Sequence, residues 1–316
     1  MLETPVAFLI FNRPDTTRRV FAEIRKAKPK KLLIVADGPR PDRPGEAELC
    51  AEVRGIVENI DWNCEVLRNY SETNLGCKYR VSSGLDWVFD QCEEAIILED
   101  DCLPNQSFFR FCEELLRKYR NYHQVMMISG DNFQFGRKIG QASYYFSMYA
   151  HIWGWATWRR AWKNYDIHMK SWFDLRDTDW LINIMRNRTA AQYWRATFDK
   201  CNAGLIDTWD LQWLFTCWVK SGLTILPNKN LVSNIGFNPA ATHTKADIYG
   251  VAEMENHELD YPLIHPKIVA PDYDADLRTF RALYGKEMAQ YSLIKKAARM
   301  LNTKKIKPSI WGFLKG

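Results

Sequence analysis

The chain has no apolar run long enough to cross a bilayer. Its longest, such as Pro5 to Phe11 and Ala95 to Leu98, fall far short of the roughly 20 residues a spanning helix needs. No Gly-x-Gly-x-x-Gly follows the first strand-like segment and no Walker-type loop occurs, which disfavours dinucleotide hydride chemistry and P-loop phosphoryl transfer. The eight cysteines, at 50, 64, 77, 92, 102, 112, 201 and 217, are never two or three residues apart, so zinc-ribbon and thioredoxin spacings are missing. Met1-Leu2-Glu3-Thr4-Pro5 has neither a basic n-region nor a long apolar h-region. The expectation is a cytoplasmic protein with reduced, mostly buried thiols. Internal repeats and low-complexity segments are also missing.

What is present suits a large folded core. The 316 residues are 47% hydrophobic and 26% charged, ordinary for a globular protein, but thirteen of them are Trp. The net charge of +5 is uneven: from Gly285 onward eight basic residues face one acid, Glu287, leaving 35 basic and 37 acidic residues in the body. A near-neutral body with a basic tail argues against nucleic acid as a partner, because such partners require a basic folded surface.

The most informative stretch is Ala95-Ile96-Ile97-Leu98-Glu99-Asp100-Asp101-Cys102. Four apolar residues running into three carboxylates read as a strand buried on both faces, with acids at its carboxyl end. Open α/β sheets bind ligands at that end. Three adjacent negative charges are costly unless a cation joins them, and hard divalent ions prefer carboxylate oxygens; the plainer alternative is a solvated acidic turn.

Strand and helix alternate before this point. Thr4–Phe11 reads as a strand broken by Asn12-Arg13-Pro14, with a helix from Thr16. Leu32–Ala36 reads as a strand ending at Asp37-Gly38, Ala47–Asn59 as a helix, Cys64–Arg68 as a strand and Lys78–Cys92 as a helix. This order predicts a doubly wound α/β fold with a mostly parallel sheet and flanking helices. Beyond it, Phe108–Tyr119 reads as a helix, and Val125–Ser129, Leu223–Leu226 and Leu231–Ile235 as strands.

After Tyr144 the chain is rich in indoles. Trp153-Gly154-Trp155 is either core or a platform for sugar or nucleotide rings, with Gly154 allowing close approach to the backbone. Ile206-Asp207-Thr208-Trp209-Asp210 opens a helix; Asp207 or Thr208 suits a cap, whereas Asp210 falls inside the first turn. His243 is the histidine of a polar loop and a candidate metal or phosphate contact. Met288–Leu301 has one apolar side and basic residues elsewhere, which suits an anionic membrane surface or a helix packed on the body.

Taken in order, these motifs resemble those of GT-A fold glycosyltransferases akin to the N-acetylglucosaminyltransferase I family, and of bacterial nucleotide-diphospho-sugar transferase-like proteins. The resemblance spans about residues 5 to 245. It implies nucleotide contacts from Asn12 and Arg13, base or ribose reading by Asp37 with Gly38, and Lys78 in place of a nucleotide-contacting histidine. Glu99-Asp100-Asp101 matches an Asp-x-Asp motif, with Asp100 on ribose and Asp101 on Mn²⁺ (or Mg²⁺). Trp153-Gly154-Trp155 and Trp209-Asp210 match a Gly-Trp segment and a later pair whose aspartate is the catalytic base.

The resulting expectation is a GT-A domain over 1–270, with a nucleotide-binding half to about residue 132 and an acceptor half from about 133, then a helical basic tail over 271–316. Its implied activity is an inverting transfer from a UDP-sugar to a glycan or lipid-linked glycan in surface polysaccharide synthesis, with the protein cytoplasmic or peripheral on the inner membrane face. Rival readings are a sugar nucleotidyltransferase, which usually carries a Gly-rich N-terminal phosphate loop, a glycoside hydrolase with paired carboxylates, and a non-catalytic sugar-nucleotide or glycan binder.

Overall fold

Four strands build the first half of the sheet: β1 (Val6–Ile10), β2 (Lys31–Ala36), β3 (Glu65–Tyr70) and β4 (Glu94–Glu99). The structure is a computed structural model and describes residues 1–237, 251 and 254–285. Strand β1 pairs in parallel with β2 and β4, and β2 with β3. Parallel neighbours need crossover connections, here α1 (Pro14–Ala27), α2 (Glu46–Ile56) and α3 (Gly76–Gln91). The apolar run of β1 is buried on both faces. Val6, Phe8 and Ile10 share a core with Val20, Phe21 and Ile24 of α1, while Ala7 and Leu9 share another with Val81, Leu85 and Val88 of α3. Period-2 alternation therefore feeds two helix layers at once.

The second half is mixed. It contains β5 (Cys102–Pro104), α4 (Gln106–Tyr119), β6 (Val125–Ser129), β7 (Tyr144–Ser147), β8 (Trp155–Trp158), β9 (Leu223–Pro227) and β10 (Val232–Asn234). Short helices α5 (Arg159–Trp162), α6 (Trp172–Leu175) and α7 (Trp180–Met185) precede the longer α8 (Arg188–Asn202) and α9 (Asp210–Val219). The eight-stranded order is β3-β2-β1-β4-β8-β6-β9-β7, and β10 pairs with β5 in a separate ribbon. Strand β8 runs antiparallel to both β4 and β6, β9 is parallel to β6, and β7 is antiparallel to β9. The fold is thus α/β with a mostly parallel sheet flanked by helices, as the alternation of strands and helices predicts.

Two departures from the sequence reading matter. The indole-rich stretch contributes a central strand: Trp155 is 0% exposed and Trp158 2%, so the sheet interior claims both rings. The segment expected to begin a tail packs on the body as a helix over residues 273–285. There Asp276 accepts from Ser147 Oγ at 2.5 Å and from the Met148 N–H at 3.0 Å, and Gln134 Nε2 donates to Thr279 Oγ1 at 2.8 Å. The basic remainder of the tail, the 288–301 segment included, and His243 lie outside the described residues. All eight cysteines are free, and no helix among the described residues is long and apolar enough to cross a membrane.

Candidate functional site

Because β1, β2 and β4 are parallel, the residues following them emerge on one side of the sheet. Phe11 and Arg13 follow β1, Asp37 follows β2, and Asp100 and Asp101 follow Glu99 at the end of β4. Together with the Asp207–Asp210 segment they line a cavity of about 490 Å³. Asp101 and Asp210, 109 residues apart in the chain, thus share one cleft.

The three adjacent acids have different surroundings. Asp100, 7% exposed, accepts the Phe11 N–H at 3.0 Å and ties the end of β1 to that of β4. Asp101 turns Oδ2 to Arg13 Nη1 at 2.5 Å, and its Oδ1 accepts the Cys102 thiol at 3.5 Å. Burial, then the charges of Asp101, Asp100 and Asp210, push Glu99 up to about 8, against the pull of Arg13. Burial and Asp101 likewise raise Asp100 to about 7, opposed by Arg13 and the Phe11 N–H. Both shifts are toward the protonated form, so the corner relieves part of its own repulsion by taking up protons, and Arg13 pairs with Asp101 alone. The cavity as a whole is lined by six carboxylates and three arginines, Arg13, Arg40 and Arg80, so an anionic ligand meets net repulsion unless a cation accompanies it.

That charge excess is where a divalent cation fits. Hard cations of the Mg²⁺ type need only one or two protein carboxylates when phosphates and water complete the shell. Among the described residues no three His, Cys, Asp or Glu converge as a dedicated cage. Asp101 is the carboxylate that could hold a cation there, with a ligand's own oxygens completing its shell.

Asp210 is the first residue of α9 and accepts a hydrogen bond from the Thr208 hydroxyl. Cys77 lines the same cavity, and burial followed by Glu99, Asp210, Asp207 and Asp101 pushes its thiol up. That direction disfavours the thiolate, the form in which a cysteine acts as a nucleophile.

The other predicted residues divide. Trp153 and Trp209 line the cavity, with Trp153 edge-on to Phe133 and Phe237 at 5.2 and 5.7 Å. Asp37 also lines it, but its carboxylate is consumed: Oδ1 accepts from the Gly38 and Leu75 N–H groups, and Oδ2 from Asn74 Nδ2 and the Gly76 N–H. Burial raises the Asp37 pKa, and these N–H donors oppose it. The residue thus fixes the turn that starts α3. Asn12 is drawn away, donating to Glu46 Oε1 at 2.9 Å.

Expectations for four residues are corrected. The approach expected beside Gly154 is filled: at φ +66, a Cβ there would lie 2.7 Å from Val232 and 3.3 Å from Leu98. Trp155 is a core ring stacked on Trp209 at 5.5 Å. Gly38 sits against the Thr73 backbone, where a Cβ would come within 2.5 Å of the carbonyl carbon. Lys78 is not among the lining residues. Helix α3 begins at Gly76 and presents Cys77, Arg80 and Val81 to the cavity; these share a face at i, i+3 and i+4, which Lys78 does not. Arg80 holds the Ala36 and Asn69 carbonyls at 3.1 and 2.5 Å. Arg40, Asn74, Arg80, Asp207 and Thr208 are lining residues that sequence reasoning did not assign to the site. For Arg80, helical spacing from Cys77 was a usable signal.

No protein-family model matches the chain, and no curated protein matches it. Among solved structures, 4-diphosphocytidyl-2C-methyl-D-erythritol synthase from Anaerococcus prevotii is similar at 13% identity and a TM-score of 0.34, covering 59% of this chain and 85% of that one. S. aureus TarS is similar at 14% identity and 0.34, over 52% and 50% of the two chains. HddC from Yersinia pseudotuberculosis is similar at 7% identity and 0.32, over 51% and 78%. Likeness at this level assigns no activity.

Proposed function

We propose that this chain is a metal-dependent inverting glycosyltransferase that moves a sugar from a nucleotide diphosphate donor, a UDP-sugar, to a glycan or lipid-linked glycan acceptor. The observation carrying this reading is that Asp101, in a carboxylate-rich corner, and Asp210, at a helix N-terminus, line one cavity of about 490 Å³ at the carboxyl ends of parallel strands. A divalent cation seated by Asp101 would supply Lewis-acid stabilisation of the charge developing on the departing diphosphate. Asp210 takes the proton of the acceptor hydroxyl as its oxygen bonds to the anomeric carbon. The bond from that carbon to the diphosphate breaks on the opposite face, and the electron pair leaves with UDP. No protein nucleophile is required for a single displacement, in keeping with the upward push on the Cys77 thiol. Trp153 offers a ring face beside the reacting sugar.

The basic residues after Gly285 suit a protein that meets a lipid-linked acceptor at an anionic bilayer. Unchanged vesicle binding after deletion of residues 288–316 would refute that part of the proposal.

The enzymatic reading is tested by screening nucleotide sugars by thermal shift with Mn²⁺, then following UDP release and the anomeric configuration of the product. Release of UDP with inversion supports it. Formation of pyrophosphate from a sugar phosphate and a nucleoside triphosphate would instead identify a nucleotidyltransferase.

A further inference from the structure

Asp101 already has a partner where a cation would have to sit. Its Oδ2 lies 2.5 Å from Arg13 Nη1, with the two side chains 16% and 22% exposed. Gly236 closes over the pair, since a Cβ there would collide with both Oδ2 of Asp101 and Nη1 of Arg13. The Arg13 backbone is anchored: its carbonyl accepts the Thr17 N–H at 3.0 Å and the Thr17 hydroxyl at 2.6 Å. Only the side chain is therefore free to exchange partners. A guanidinium and a divalent cation cannot both lie against one carboxylate oxygen, because like charges a few ångströms apart repel by several kcal/mol at an effective dielectric of about 20. A displaced Arg13 would enter a cavity whose incoming ligand carries a diphosphate, the group its planar fork recognises best.

We propose that Arg13 is an exchangeable counter-ion. It holds Asp101 in the ligand-free protein, yields that carboxylate to the divalent cation, and transfers its guanidinium to the diphosphate arriving with the cation. The exchange rests on the donor-binding reading above. It makes cation and nucleotide binding cooperative beyond their direct contact, and linkage requires each to tighten the other by the same factor. A fixed structural ion pair would behave oppositely, since its loss would leave Asp101 unheld and weaken the cation. A static phosphate contact would leave binding of the cation alone untouched.

The test is calorimetric titration of Mn²⁺ alone, and of UDP with and without saturating Mn²⁺, into the unaltered chain and Arg13→Met. The expected result is Mn²⁺ binding roughly fivefold or more tighter in the variant, the release of a partly exposed ion pair of about 1 kcal/mol. UDP binding at saturating Mn²⁺ should weaken by about tenfold, the loss of a charge-assisted bond. The factor by which Mn²⁺ improves UDP binding should shrink. If Arg13→Met does not fold, as judged by thermal unfolding, Arg13→Gln carries the same expectation, since it keeps a donor without the charge. Mn²⁺ affinity unchanged or weakened in the uncharged variant overturns the exchange while leaving the donor reading intact. Failure of the unaltered chain to show Mn²⁺-dependent UDP binding overturns both.

Discussion

Two groups of buried acids lie on this scaffold, and they are built differently. At the end of β4, Glu99 accepts no hydrogen bond among the described residues, Asp100 accepts one N–H, and Asp101 shares one arginine. Elsewhere in the second half, Asp131 accepts from Ser129 Oγ, His151 Nδ1 and the Trp153 N–H, and Asp276 accepts from Ser147 and Met148. The second group has its oxygens occupied by protein donors and is buried in packed core. The first faces a cavity with charge left over. Burying a carboxylate costs several kcal/mol unless it is paired, so acids left under-paired in a cleft point to a ligand, whereas satisfied acids point to architecture.

The comparison can be broken at several places. Asp210→Asn should keep donor binding and lose roughly 10²–10⁴-fold in transfer rate, read as UDP release with acceptor present; unchanged turnover would remove Asp210 from the role of base. Asp101→Asn should abolish the gain in UDP affinity that Mn²⁺ provides, expected at about 10–100-fold from the worth of charge-assisted contacts, and should leave the thermal stability of the ligand-free chain nearly unchanged. In the satisfied group, burial raises Asp276 to about 6 despite the Ser147 and Met148 donors. Its neutral form is therefore favoured in the fold, and its contribution, full below about pH 4, is lost as pH rises through 6, by up to about 3 kcal/mol. Asp276→Asn should flatten the decline between those limits in a pH series of unfolding midpoints without touching UDP binding. The smallest effect is expected for Trp155→Phe, about 1 kcal/mol of stability or less, because a ring of related shape replaces an indole whose Nε1 is buried and unpartnered. Donor binding should be unaffected by Trp155→Phe and weakened by Trp153→Ala.

Much of the first half was legible because both-face burial writes its own signature. Uninterrupted apolar runs such as Leu32–Ala36 and Ala95–Leu98 have few alternatives to parallel central strands, and the acids after Leu98 then fall at the ligand-binding end by topology alone. The second half was less legible. Strand β8 pairs antiparallel between β4 and β6, a long-range choice that Trp155-Ala156-Thr157-Trp158 does not announce, and an indole-dense run suits core first and a platform as the alternative. The site was legible to the level of residue type but not of side-chain direction. Asp37 looks free in the sequence, yet the Asn74–Gly76 turn takes its carboxylate. Lys78 looks closer to the phosphates than Arg80, yet one helical step turns it off the cavity face.

The central claim is that the negative corner at Asp101 becomes a donor site only when a divalent cation joins it. Titrating UDP into the protein with Mn²⁺ and again with a chelator tests this directly. Tight binding that requires the metal and disappears in Asp101→Asn is the predicted result; equal affinity with and without metal would contradict the account.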